Sequence, residues 1–215
     1  MRSLNVCLVV VLFVSVCAFG GVESFNGVDV DVEYWTGSGD NEALLVVDWN
    51  ESGIEAVGYA FGFRWDGTAT GRDMLNAVNS TSRFFEVADD SLLSGSGDTI
   101  VYGLGYDVDG DGGSFVATAA GVETGYATDS DDVYSEGWMV NGFWAYNQST
   151  DGTTWGYGGS GVVERVLADG DWDGFSFSAA SNGWYGGDPT APIVPEPVTI
   201  ALLGLGGLMV RIRRS

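Results

Sequence analysis

From Val28 to Tyr34, within the stretch GVDVDVEYWTG (Gly27–Gly37), apolar and acidic residues alternate without a break. A repeat of two puts Val28, Val30, Val32 and Tyr34 on one side and Asp29, Asp31 and Glu33 on the other. This is the period of a strand with one buried and one wet face, and a helix cannot segregate it. Similar runs predict strands over 43–49, 56–64, 99–106, 114–119, 137–147 and 174–178, separated by clusters of Gly, Asp, Asn and Ser. Only TGRDMLNAVNS (70–80) has helical spacing: Thr70 can cap the backbone with Asp73 three residues on, and Met74, Leu75 and Val78 form one apolar stripe. Strands without regular helical crossovers imply antiparallel pairing. The fold class expected is therefore mainly β, an antiparallel β-sandwich with one short helix, occupying residues 21–185.

Charge narrows the partners of such a domain. The chain of 215 residues has a formal net charge of −22, with no histidine and no lysine. All 30 carboxylates lie between Glu23 and Glu196, where Arg64, Arg72, Arg83 and Arg165 are the only basic residues, leaving that stretch at −26. A field of this sign repels phosphate backbones and anionic lipid, which argues against nucleic-acid binding, and it attracts divalent cations.

The two ends are of another character. Arg2, the apolar run VCLVVVLFVSVCAF and the small residues Ala18 and Gly20 read as a signal peptide over 1–20, for removal by signal peptidase. Cys7 and Cys17 both fall inside it, so the processed protein would hold neither thiol nor disulfide. At the other end a Gly- and Pro-rich linker over 186–197 leads to an apolar run, 198–210, followed by Arg211, Arg213 and Arg214. That run is short for a bilayer span, about 20 Å as a helix. Pro195, Glu196 and Pro197, then a short Gly- and Leu-rich span, then a terminal arginine cluster: this ending resembles the PEP-CTERM sorting signal. The resemblance implies a C-terminal transmembrane sorting helix over 198–215 and processing by exosortase. It also implies a protein of a Gram-negative bacterium that is exported, held briefly at the inner membrane, and then delivered to the cell surface or an exopolysaccharide matrix.

For chemistry, the absence of histidine and of cysteine in the processed chain removes catalytic triads, thiol nucleophiles and His-based zinc sites together. Carboxylate pairs suited to a glycosidase or lyase remain, but 30 acids supply such pairs on any fold. GYGGSG (156–161) matches a dinucleotide-binding fingerprint without the helix or basic residue that would support one. Calcium is better served. DVDGDG sets Asp107, Asp109 and Asp111 at alternate positions before Gly112, and DGDWDG repeats this with Asp169, Asp171 and Asp173. Alternating carboxylates on a tight turn can converge on a hard cation. Neither loop is an EF-hand, since Thr118 and Ala180 stand at the twelfth position, and Asp-Gly turns also form without any ion. Finally, Trp144 and Tyr146 share one strand face, as do Trp155 and Tyr157, and a hairpin turning near Asp151 would gather the four rings as core or as a platform for sugar rings.

The function expected is that of an exported, exosortase-processed surface protein, non-catalytic and associated with extracellular polysaccharide. The alternative is a binding module for a glycan or another small ligand, assisted by calcium.

Overall fold

The computed structural model describes residues 21–50, 58–89, 99–118, 125–138, 142–179 and 187–194. The expected signal peptide (1–20), the sorting motif Pro195, Glu196 and Pro197, the apolar run and Arg211, Arg213 and Arg214 lie outside them.

Seven strands form one large sheet: β1 (Gly21–Phe25), β2 (Val28–Gly37), β3 (Asn41–Asp48), β4 (Tyr59–Trp65), β10 (Gly142–Ser149), β11 (Gly156–Tyr157) and β12 (Asp171–Ala179), in the order β1-β2-β4-β3-β12-β10-β11. A second sheet pairs β5 (Phe84–Asp89), β6 (Ile100–Tyr106) and β9 (Val133–Glu136), and β7 (Phe115–Val116) pairs with β8 (Tyr126–Ala127). A helix, α1 (Gly71–Asn79), lies between β4 and β5 in the chain.

This corrects the expected antiparallel β-sandwich. The sheets are open, and the large one is mixed: β2 runs parallel to β4, and β12 parallel to β3. Parallel pairing arises here without helical crossovers because strands insert between others. β4 enters between β2 and β3, and β12 enters between β3 and β10. Residues 38–40 must then carry the chain past the end of β4, about 10 Å at the usual strand spacing. Gly39, at φ 151°, makes the passage, because a Cβ there would collide with the Trp65 carbonyl group.

The expected membrane helix is corrected as well. Among the described residues no helix is long and apolar enough to cross a membrane, and α1 has nine residues. The inner-membrane-anchored stage therefore has no described element to carry it.

Two apolar clusters hold the large sheet, one on each face. On the first, Leu45, Val47, Phe61, Phe63 and Phe175 pack against Met74, Leu75 and Val78 of α1 and against Phe84, Leu104 and Tyr106 of the second sheet. On the other face, Val30, Val32, Leu44, Val46 and Trp172 meet Phe25. The alternation in β2 holds for Val30 and Val32 and then changes phase. A bulge between Val32 and Trp35 sends Trp35 to the second cluster and Tyr34 to the first, as an extra residue in a ladder does. Trp35 then covers Gly62, where a side chain would have no room, and Arg64 stacks over its ring at 4.3 Å.

α1 begins as its sequence predicts. Asp73 N–H donates to the Thr70 hydroxyl at 3.2 Å, and Thr70 N–H donates to Asp73 Oδ2 at 2.8 Å. The next free donors of the helix find tertiary acceptors: Gly71 N–H reaches the Arg165 carbonyl and Arg72 N–H the Val162 carbonyl, both at 2.8 Å. The segment 187–194, read from sequence as part of a linker, is tied to the sheet. Gly58 N–H donates to Thr190 O, Asp31 N–H to Pro192 O, and Val194 N–H to Asp29 O. Thr190 N–H donates to the buried Asp48 carboxylate at 2.9 Å.

Candidate metal centre

Strand β6 ends at Tyr106, and the acidic loop that follows winds around its own first carboxylate. Asp107 Oδ1 accepts from Gly110 N–H at 2.6 Å, and Oδ2 accepts from Gly112 and Gly113 N–H at 3.1 and 3.0 Å. Gly110 and Gly112 take positive φ, 78° and 116°, which lets so short a loop curl. Arg83 holds the outer side, donating to the Asp107 and Val108 carbonyls at 2.9 and 2.6 Å while lying over the Tyr106 ring. Burial pushes the Asp107 carboxyl up, but the N–H groups of Gly113, Gly110 and Gly112, with the Arg83 charge, outweigh it and hold the group below the ordinary carboxylate range. Asp107 is thus prepared as an anion.

Its partner comes from the neighbouring strand. β9 pairs antiparallel with β6, with Val133 opposite Tyr106, so Asp132 and Asp107 are the next two residues to face each other beyond the ladder. Asp132 Oδ1 accepts from Val108 N–H at 3.2 Å. Its Oδ2 is buried and has no hydrogen-bond partner among the described residues. A Cβ added to Gly113 would meet that oxygen at 2.7 Å and Asp107 Cβ at 2.8 Å, so a glycine is what admits the two carboxylates side by side. Burial raises the Asp132 pKa; the Val108 N–H partly opposes this, and the charges of Asp107, Asp129 and Asp109 add to it.

Asp109 completes the group. Ligand oxygens of Asp107, Asp109 and Asp132 lie within 4.8 Å of one another, with Asp107 and Asp132 buried and Asp109 exposed. This cluster is able to coordinate a small cation. Two oxygens bound to one calcium at about 2.4 Å each stand at most about 4.8 Å apart, so the spacing fits such an ion. Three hard oxygen donors suit calcium, magnesium or manganese in preference to softer metals. Around them Asp111, Asp129 and Asp131 deepen the negative field: Asp109 raises the Asp111 pKa, and the hydrogen bond shared with Asp129 lifts Asp131 to about 6.

The sequence singled out Asp107, Asp109 and Asp111. The first two converge; Asp111 instead donates its N–H to Asp109 Oδ1 at 3.0 Å and stands outside the triad. Asp132 was missed. The only local signal for it is the run Asp129-Ser130-Asp131-Asp132 before the alternating β9, and nothing in the sequence pairs that run with Asp107.

The second Asp loop is occupied by the protein itself. Asp169 Oδ1 accepts from Glu42 N–H at 2.9 Å, and Asp171 Oδ2 from Ala168 N–H at 2.7 Å and from Arg165 at 2.6 Å. Asp173, fully buried, takes Arg165 at 3.3 Å and the Tyr146 hydroxyl. Asp171 and Asp173 fasten β12 to the 165–168 segment, Asp169 holds the start of β3, and the three do not meet at one point. Of the four expected rings, Trp144, Tyr146 and Tyr157 come together along one cleft, and Trp155 does not join them. Trp144 and Tyr146 belong to the cluster on the helix-bearing face, Trp155 packs in the other cluster beside Gly174, and Tyr157 is 68% exposed. Trp155 precedes β11, which meets β10 over only Asn147–Tyr157 and Gln148–Gly156, so the hairpin is too short to impose a common face.

Comparison of the chain with known protein families, with characterised proteins and with solved structures returns no match. The expectation of a secreted, transiently membrane-anchored exosortase substrate therefore gains no family support, and among the described residues no helix is long and apolar enough to cross a membrane.

Proposed function

We propose that this protein is a calcium-binding β-module, a binding protein and not an enzyme, in which Asp107, Asp109 and Asp132 hold the ion. The observation that carries this reading is the buried, unpartnered Asp132 Oδ2 lying within reach of two further carboxylates. A buried carboxylate oxygen without a donor costs stability, and a divalent cation relieves both that cost and the repulsion among the three charges. Calcium fits better than magnesium because it accepts irregular coordination at 2.3–2.6 Å, whereas magnesium demands a tight octahedron. Loop carbonyls and water complete the shell. The bound ion joins the loop after β6 to the turn before β9, the two segments that flank the β7–β8 pair in the chain.

Thermal unfolding of the purified protein in millimolar calcium and in chelator tests this. At about 100 times Kd a ligand adds about 2.7 kcal/mol, which raises the Tm of a domain this size by about 5–10 °C. Asp132→Asn abolishes the increment and Asp111→Asn retains it. Superimposable wild-type curves with and without calcium would refute the proposal.

A further inference from the structure

On the helix-bearing side of the large sheet, a cleft of about 310 Å³ opens between β10 and β12, the start of β6 and the segment 158–162. Its aromatic lining comprises Trp138, Phe143, Trp144, Tyr146, Tyr157 and Phe175. Another wall is almost bare backbone, Gly158, Gly159, Ser160 and Gly161, and Thr99, Ile100, Val101 and Val162 complete the lining. That wall is anchored at both ends, Gly158 N–H donating to Tyr146 O at 3.1 Å and Val162 O accepting from Arg72 N–H at 2.8 Å. Between the anchors, the Gly159 and Ser160 N–H groups and the Ser160 hydroxyl donate no hydrogen bond among the described residues. Behind Gly158, the buried Gln148 Nε2 has no partner among the described residues either. No charged residue lines the cleft.

We infer that this cleft is a binding site for a neutral saccharide. Three features select that chemistry. An anionic ligand would find no cation in the lining and would enter a protein of net charge −22. A purely apolar ligand would strip water from the peptide groups of the glycine wall without replacing their hydrogen bonds. A quaternary ammonium would gain from the ring faces but would find no carboxylate in the lining to pair with. A pyranose ring presents a C–H face to an exposed ring such as Tyr157 and hydroxyls to free donors, and so uses both kinds of lining. The site is separate from the metal centre. Ile100 and Val101 line the cleft at one end of β6, and Tyr106 adjoins Asp107 at the other, about 20 Å away along an extended strand. Saccharide binding therefore survives chelation of calcium, and its failure would leave the calcium reading untouched.

The test is an NMR titration of the indole N–H signals of the full chain. The probes are gluco- and galacto-oligosaccharides of a few units, a uronate oligosaccharide and choline. At least one neutral series shifts the Trp138 and Trp144 signals saturably, leaving Trp155 and Trp172 on the far face unmoved, in calcium or in chelator. Tyr157→Ala, which removes an exposed ring, weakens that binding by about 2- to 10-fold, the size of one aromatic contact. If no neutral series moves Trp138 and Trp144, or if choline or the uronate moves them in place of the neutral sugars, the inference is overturned.

Discussion

At the scale of single residues, the molecule spends its scarce positive charge on internal fastening. Arg64 pairs with Glu42, Arg72 makes a two-pronged contact with Glu86, Arg165 bridges Asp171 and Asp173, and Arg83 ties two backbone carbonyls. The carboxylates around Asp107 are left to one another and to whatever cation reaches them. Asp173 shows the opposite arrangement, a buried acid with neighbours of its own. Burial lifts its pKa to about 6 despite the hydrogen bond from Tyr146 and the charge of Arg165. The ordinary carboxylate value is about 3.9, so between the two the folded protein holds a proton that the unfolded chain releases. The stability gained this way is complete below about pH 4 and disappears as pH rises through about 6. Denaturant unfolding near pH 4 and near pH 7 checks it: the wild type loses more stability across that interval than Asp173→Asn does.

At the scale of elements, what could be read from sequence was what is local. The Thr70–Asp73 cap and the Met74, Leu75, Val78 stripe depend on residues three or four apart, and both are present in α1. Thr70→Ala removes the cap, and we expect a loss of about 1 kcal/mol and a Tm lower by about 2–4 °C, measured by calorimetry. The strand runs were legible where apolar residues filled them, as in β3 and β6. Their pairing was not, because a period of two says which face a residue occupies and nothing about its neighbouring strand. Two local signals also misled. The bulge in β2 moves Tyr34 off the face its spacing assigned, and the acids at the start of β12 read as calcium ligands on a tight turn although Asp171 and Asp173 are buried against Arg165. Asp132 joins Asp107 only through the β6–β9 register, so two-thirds of the metal triad was visible in one loop and the remainder needed the fold.

At the scale of the whole molecule, an open mixed sheet carries a helix and a smaller sheet on one face and the 187–194 segment against the other. Its two candidate sites lie at opposite ends of β6, one intensely acidic and one uncharged. A chain this negative stabilises its compact state by screening as well as by any specific ion, so the specific contribution must be isolated from the general one. Isothermal titration of calcium into chelator-stripped protein at about 0.15 M monovalent salt, where the Debye length is about 8 Å, makes that separation. One saturable site per chain is expected, lost in Asp107→Asn and Asp132→Asn and kept in Asp111→Asn; an absence of saturable binding, or equal binding by wild type and Asp132→Asn, would contradict a calcium site at Asp107, Asp109 and Asp132.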